Sequence, residues 1–245
     1  DSFSKEVNSV NEQYPSIKLF GLNFNLTNDI GVLVSAILVF LLVFWLSRNL
    51  QMRPGAKQNI LEWIMNFTNG IVKGAIPGSQ RYTFNLFAFT LFLFIFISNQ
   101  IGLFLELDIG KDTWFRSPTA SPVITMTLAM TVLVISHYFG IVFKGFKGYL
   151  KGYVSPIGIL LPINLLEEFT NFITLSLRLY GNIFAGEVLV LLIRQLAFSG
   201  GAFSFVSGFL LEIVWQGFSV FIGSIQAYVF VTLGMVYTSH KVVSE

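Results

Sequence analysis

From Thr174 to Glu187 the chain reads Thr-Leu-Ser-Leu-Arg-Leu-Tyr-Gly-Asn-Ile-Phe-Ala-Gly-Glu, with Arg178 set in a mostly apolar run. A guanidinium has a pKa above about 12 and cannot shed its charge. The run is long and apolar enough for a bilayer, where that charge costs from about 2.5 to above 10 kcal/mol depending on the method. A charge that can neither neutralise nor reach the surface points to function. At about 100° per residue, Asn164, Glu167, Asn171, Thr174, Arg178 and Asn182 share one helix stripe, and the other faces are Leu, Ile, Phe and Val. Such a stripe faces protein or water, not lipid. Polar glue between helices is the plainer reading, but glue rarely needs a permanent cation near mid-depth.

A second set of polar residues lies further along. The helical pattern from Ile163 to Phe198 breaks at Ser199-Gly200-Gly201 and resumes from Ala202 to about His240. Folded as an antiparallel hairpin about Gly200, Glu187 lies opposite Glu212, and Arg178 lies near Ile222 and Gln226. Glu212, Ser219 and Gln226 are spaced by seven, so they share a face with Gln216 and Gly223. Arg178, Asn182 and Gln226 then sit near mid-depth, with Glu187 and Glu212 on the outer side and Glu167 and Glu168 toward the cytoplasm. Buried carboxylates have raised pKa values and exchange protons near neutral pH, whereas an arginine cannot relay one. The arrangement reads as a proton path in two pieces, held apart by a fixed cation. This chain offers no spare mobile carboxylate to carry a proton past Arg178, which implies a partner subunit. Arg194, near the outer end of its helix, reads as a snorkelling anchor.

The elements that position these residues follow from apolar runs. Ile30–Leu46 is a first span, closed by Trp45 as an interfacial anchor. Within the basic stretch Ser47–Gln80, Ile60, Leu61, Ile64, Phe67, Ile71 and Val72 recur at helical spacing, the pattern of an amphipathic helix on the cytoplasmic surface. Tyr82–Leu105 is a second span, followed by a loop over Glu106–Ser121. Pro122–Phe143 is the third span, with His137 as a hydrogen-bonded packing residue. Lys144, Lys147 and Lys151 read as a basic, glycine-spaced loop. The two last helices exceed about 50 Å each against a core of about 30 Å, so they tilt steeply or extend beyond the membrane. Ser219, Gly223 and Ala227 form a small-residue ridge suited to close helix approach. Ser16–Phe20 is strand-like. The expected fold is all-α: five membrane helices, the last two a long tilted hairpin, plus a surface amphipathic helix. Three regions result: residues 1–29 outside, 30–153 with the first three spans, and 154–245 with the hairpin and the ion path.

Composition agrees. The 245 residues are 54% hydrophobic and only 11% charged, with 27 Phe and a mean hydropathy of +0.71; soluble domains are about 25% charged. With no cysteine and two histidines, disulfides and Cys-based or His-rich metal centres are excluded. No cofactor, metal or nucleic acid is expected. Segments 47–81 and 144–153 and the tail after His240 hold nine of the fifteen bases, while the segments assigned outside hold four, Lys5, Lys18, Lys111 and Arg116. The positive-inside rule then puts the N-terminus outside and the C-terminus in the cytoplasm. No P-loop, His-Glu-x-x-His or Gly-x-Ser-x-Gly pattern occurs, so no catalytic site is expected. A self-contained ion transporter is the rival, but it predicts broken helices and repeat symmetry.

Leu177–Glu187 resembles the arginine motif of subunit a of F-type ATP synthases. Ile225-Gln226-Ala227-Tyr228-Val229-Phe230 is similar to that family's last-helix motif, and Pro162–Phe169 to its Gram-positive version. The resemblance implies a stator in a bacterial plasma membrane, with a ring of c subunits and a b-subunit peripheral stalk as partners. It implies that Arg178 is the essential arginine attracting a deprotonated ring carboxylate. By the same matching, Asn182, Glu187, Ser219 and Gln226 would line an outer half-channel, and Thr174 with Glu167 or Glu168 an inner one. The hairpin register adds Glu212 to the outer set, and the shared stripe adds Asn164 and Asn171 to the inner. Some members carry histidine where Ser219 stands, so Ser219 would order water rather than relay protons. Proton and sodium versions of the subunit both fit.

Overall fold

Long apolar runs become helices here because every backbone polar group is satisfied within the segment. The computed structural model describes residues 16–19, 22–104, 107–109, 112–115, 117–154 and 158–243. Six α-helices carry most of them: α1 (Leu26–Ser47), α2 (Ala56–Ala75), α3 (Arg81–Phe104), α4 (Pro122–Val154), α5 (Leu161–Ala197) and α6 (Ala202–Val242). All except α2 are long and apolar enough to cross a membrane. The chain is an all-α, multi-pass membrane protein.

Two small antiparallel hairpins accompany the helices. Strands β1 (Ser16–Leu19) and β2 (Leu22–Asn25) pair Ser16 with Asn25 and lead directly into α1. The strand-like reading of Ser16–Phe20 fits β1. The helix after it begins four residues before the expected Ile30. Strands β3 (Leu107–Ile109) and β4 (Asp112–Phe115), with a 3-10 turn at Pro118–Ala120, occupy the stretch read as a plain loop. Residues 1–15, with Lys5, and also Glu106, Lys111 and Arg116 lie outside the described residues.

The core forms around the second half of α6. Ala227, Phe230, Val231, Met235 and Val242 are buried against Phe84, Ala88, Leu91 and Ile95 of α3, Ala129 and Val132 of α4, and Leu175 and Leu179 of α5. The small-residue ridge does what its spacing suggests. A Cβ at Gly223 would lie 3.3 Å from Cβ of Asn99, so α3 and α6 meet closely there. The amphipathic α2 buries Leu61, Thr68 and Val72 and packs Phe67 against Phe92 and Tyr228, but leaves Ile60 and Trp63 exposed. Its apolar residues thus divide between protein and bilayer. Helices α5 and α6 have 37 and 41 residues, about 55 and 60 Å at 1.5 Å per residue.

One expectation is corrected. Residues 144–153 are helical: α4 continues to Val154 across a bend at Gly145, whose φ of 71° and ψ of 157° are not helical. That backbone region is essentially restricted to glycine. The apolar run does end near Phe143, but the chain turns back instead of entering a loop. In a straight helix His137 and Tyr149 would be about 18 Å apart; their ring centroids are 6.0 Å apart. Alternating Gly and Lys hid the helix because glycine has low helix propensity.

Gly145→Ala should therefore destabilise the protein by about 1–3 kcal/mol. Gly152→Ala, at a helical position with open space around it, should be neutral or slightly stabilising. Thermal unfolding of the purified chain in detergent compares the two. Equal melting temperatures would remove the bend from the account.

Candidate functional site

The rotation of α5 about its axis decides where its polar residues go. Leu175 and Leu179 are buried in the core and define the inward direction. At about 100° per residue, Asn164, Glu168, Asn171 and Asn182 lie within about 60° of it, and Arg178 about 80° away. Glu167 and Thr174 lie about 100° and 120° off. Exposure largely follows: Asn164, Glu168, Asn171 and Arg178 are partly buried, while Glu167 and Thr174 are exposed, as is Asn182, beyond the core. The polar stripe thus splits into an inward row and an outer edge, and Arg178 stands between them.

Among the described residues, no carboxylate pairs with Arg178 and no hydrogen bond reaches it. One turn on, Asn182 Nδ2 donates to Gln226 Oε1 at 2.7 Å, tying α5 to α6. The hairpin register brings Gly186 against the ring of Trp215. Glu187 and Glu212 are both partly buried.

On α6, Ser219 is 8% and Gln226 3% exposed. Trp215 Nε1, Ser219 Oγ and Gln226 Nε2 are buried with no hydrogen-bond partner among the described residues. At about 100° per residue these three form one row, and Val220, Gly223 and Ser224 the adjacent one. The adjacent row is saturated by α3. Asn99 Nδ2 donates to Gly223 O at 3.0 Å, and Gln100 Nε2 donates to Val220 O at 3.2 Å and Ser224 Oγ at 3.3 Å. Thr119 Oγ1 donates to Asn99 Oδ1 at 2.8 Å and is 2.7 Å from Ser117 Oγ. The unsatisfied row faces α5, with Asn182 at Gln226 and Gly186 at Trp215.

Glu168 heads a second polar cluster. Its carboxylate pairs with Lys241 of α6, receives His137 Nε2 of α4 at 2.7 Å and accepts from Tyr153 Oη at 2.6 Å. Tyr153 Oη is 2.8 Å from Tyr149 Oη, which in turn contacts His137 Nδ1. Asn164 Nδ2 donates to Tyr153 O at 2.9 Å. The bend at Gly145 carries both tyrosines here. His137 is hydrogen-bonded, as the sequence suggested, though to a charged cluster rather than to apolar packing. Tyr149, Tyr153 and Lys241 were missed. The i, i+4 tyrosine pair was their only local signal.

A bundle of apolar spanning helices that encloses a partly buried guanidinium, a row of polar atoms unsatisfied by any described residue and a charged cluster at one end defines a multi-pass membrane protein with a polar interior. Residues 30–239 match the family model described as ATP synthase A chain. The chain is 52% identical to the ATP synthase subunit a of Pediococcus pentosaceus over 96% of this chain and 99% of the relative. It is 50% identical to that of Limosilactobacillus reuteri, over 93% and 97%, and 47% identical to that of Listeria welshimeri, over 96% and 99%. The chain belongs to the ATP synthase A chain family, in agreement with the resemblance carried by Leu177–Glu187.

Lys241 and Glu168 are each about five-sixths buried, so removing one leaves the other uncompensated. Glu168→Gln and Lys241→Met should each lower stability by about 1–3 kcal/mol. The double variant should recover most of that loss, because no lone charge remains buried. A double-mutant cycle on thermal unfolding in nanodiscs measures this, and additive losses would show that the pair is not coupled.

Proposed function

We propose that this chain is the stator of a rotary membrane motor, forming two offset proton half-channels that Arg178 separates and couples to a rotating ring of c subunits. The observation that carries the proposal is Arg178 itself: partly buried, without an anionic partner among the described residues, and beside exposed Thr174 and Leu177. A desolvated guanidinium needs an anion, and no described residue of this chain supplies one. A carboxylate on a separate subunit passing that surface would answer the need. The b-subunit stalk would hold the stator against the ring's torque.

The outer half-channel runs along Asn182, Glu187, Glu212, Ser219 and Gln226. Its support is the row Trp215, Ser219 and Gln226, since buried polar atoms lacking protein partners are commonly satisfied by ordered water. Water bridging those atoms would conduct protons as far as Asn182, one turn from Arg178. The inner half-channel runs from Asn164 past Glu168, about 15 Å along α5 from Arg178, to Asn171 and Thr174. Of the two adjacent carboxylates, Glu168 is the candidate, because it turns toward α4 and α6 while Glu167 is exposed. The cluster lies at the end that carries Lys144, Lys147, Lys151 and Lys241, cytoplasmic by the positive-inside rule. That leaves the N-terminus outside and the C-terminus inside.

Arg178→Ala should abolish ATP-driven proton pumping and raise passive leak together. It removes the charge that holds a ring carboxylate and the barrier between the half-channels. Moving one charge through 100 mV is worth about 2.3 kcal/mol, so lowering the barrier by about that amount gives a leak roughly 30-fold or more faster. Lysine should rescue poorly, because it lacks the planar fork and loses its proton readily when buried. The measurement is proton flux in vesicles containing quantified, fully assembled complex. Normal coupled pumping by Arg178→Ala would refute the mechanism, and reduced assembly without leak would favour structural glue.

A further inference from the structure

The turn between α2 and α3 leaves a cleft that the ion path does not use. Its volume is about 270 Å³, and its walls include Asn66, Asn69 and Lys73 of α2 and Arg81, Tyr82 and Asn85 of α3. Two cations and three amides face one small space with no acid in the lining. Among the described residues, neither Lys73 nor Arg81 has an anionic partner. Glu62, the one acid of α2, is more than two turns away and takes a hydrogen bond from Gln58 at 2.7 Å. Arg81 is steadied from one side: its Nη2 donates to Tyr82 Oη at 3.0 Å, and its guanidinium carbon lies 4.9 Å from the centre of that ring. Asn85 Oδ1 is buried without a hydrogen-bond partner among the described residues.

The cleft's place in the fold says which anion suits it. Arg81 is the first residue of a spanning helix, so the cleft lies at headgroup depth whichever way the chain is oriented. One turn into the bilayer from Tyr82, Leu86 of α3 is 74% exposed, an apolar track leading away from the cations. A phosphate seated between Lys73 and Arg81 would leave attached acyl chains beside that track. Asn85 Oδ1 can accept from a headgroup hydroxyl. Basic pockets between membrane helices suit anionic headgroups, each base near the surface contributing about 1 kcal/mol.

We propose that the α2–α3 cleft is a binding site for the phosphate of an anionic, hydroxyl-bearing phospholipid, of the phosphatidylglycerol class. The lipid pins the surface helix α2 to the end of α3. Only the bilayer placement is needed; the reading of Arg178 is not.

Native mass spectrometry of the full chain in detergent, titrated with phosphatidylglycerol or phosphatidylcholine, tests the site. Phosphatidylglycerol should bind the wild type in preference to phosphatidylcholine. Lys73→Gln with Arg81→Gln should weaken its binding roughly 30-fold, the effect of losing two basic residues near a membrane surface. Arg53→Gln with Lys147→Gln removes the same charge from exposed positions outside the cleft and should leave binding unchanged. Asn85→Leu fills the cavity at constant charge and should also weaken binding, so the test survives if the double variant fails to fold. An equal loss in the Arg53/Lys147 control would overturn the site in favour of general charge attraction. So would equal binding of phosphatidylcholine, or unchanged binding by folded Asn85→Leu. Displacement of the lipid by millimolar inorganic phosphate would make it a free-anion site and overturn the lipid assignment.

Discussion

A guanidinium that cannot be neutralised by proton loss has to be neutralised by position. The packing of α5 sets that position. With Leu175 and Leu179 locked in the core, Arg178 is turned about 80° from the buried direction, too far to reach the polar interior and too central to reach water along the helix. Lys241 provides the contrast within the same fold. It is also a cation on a spanning helix, yet Glu168 pairs with it and His137 Nε2 lies 3.2 Å away. One charge is satisfied inside the chain and the other is left to the outside. That asymmetry distinguishes the two cations more clearly than burial does.

The satisfied charge depends on a backbone device. Gly145 bends α4 back on itself, which brings Tyr149 and Tyr153 over the start of α5. The cluster they complete joins α4, α5 and α6 at one end of the bundle. Ser136 and Thr238, 2.6 Å apart and both buried, add a second link between α4 and α6. The Asn99 and Gln100 amides fasten α6 to α3 further along. The second half of α6 is therefore gripped from three sides. The opposite arms, joined at Gly201, keep large apolar side chains such as Phe198, Phe203 and Phe209 exposed. A stator requires such a division, with one rigid end and a long apolar surface free to meet lipid or another subunit.

How much of this the sequence disclosed depended on the range of the interaction. Five apolar runs announced five spanning helices, and Ser199-Gly200-Gly201 announced the hairpin, because length and breaking residues are local signals. Ser219, Gly223 and Ala227 announced the close contact of α6 with a neighbour but not that the neighbour was α3. Alternating Lys and Gly after Phe143 looked like a loop, since a single positive φ at Gly145 leaves no trace in composition. The Glu168 cluster gathers residues as far apart as 137 and 241, and no periodicity carries that pairing. Glu167 and Glu168 were indistinguishable until Leu175 and Leu179 were known to be the buried face. Once that face is known, the inward turn of Glu168 and the exposure of Glu167 follow from the helical angle.

The two adjacent rows on α6 show what the fold spends its polar groups on. Along Val220, Gly223 and Ser224, α3 contributes amides that satisfy backbone carbonyls and hold two helices in register. Along Trp215, Ser219 and Gln226, no described residue does the same, although each unmet buried group costs about 1–3 kcal/mol. A packing solution was within reach, because apolar side chains of similar size would have removed the cost. Gln226 shows the compromise most plainly: its Oε1 is fixed by Asn182 while its Nε2 stays unmatched. Fixing one end of the amide orients the other, so the free donor points in a set direction instead of rotating toward whatever is near. On the proposed reading, that orientation is useful. A water held by Gln226 Nε2 would stand beside Asn182, one helical turn from the guanidinium, close enough to deliver a proton to a passing carboxylate and too far to bypass Arg178.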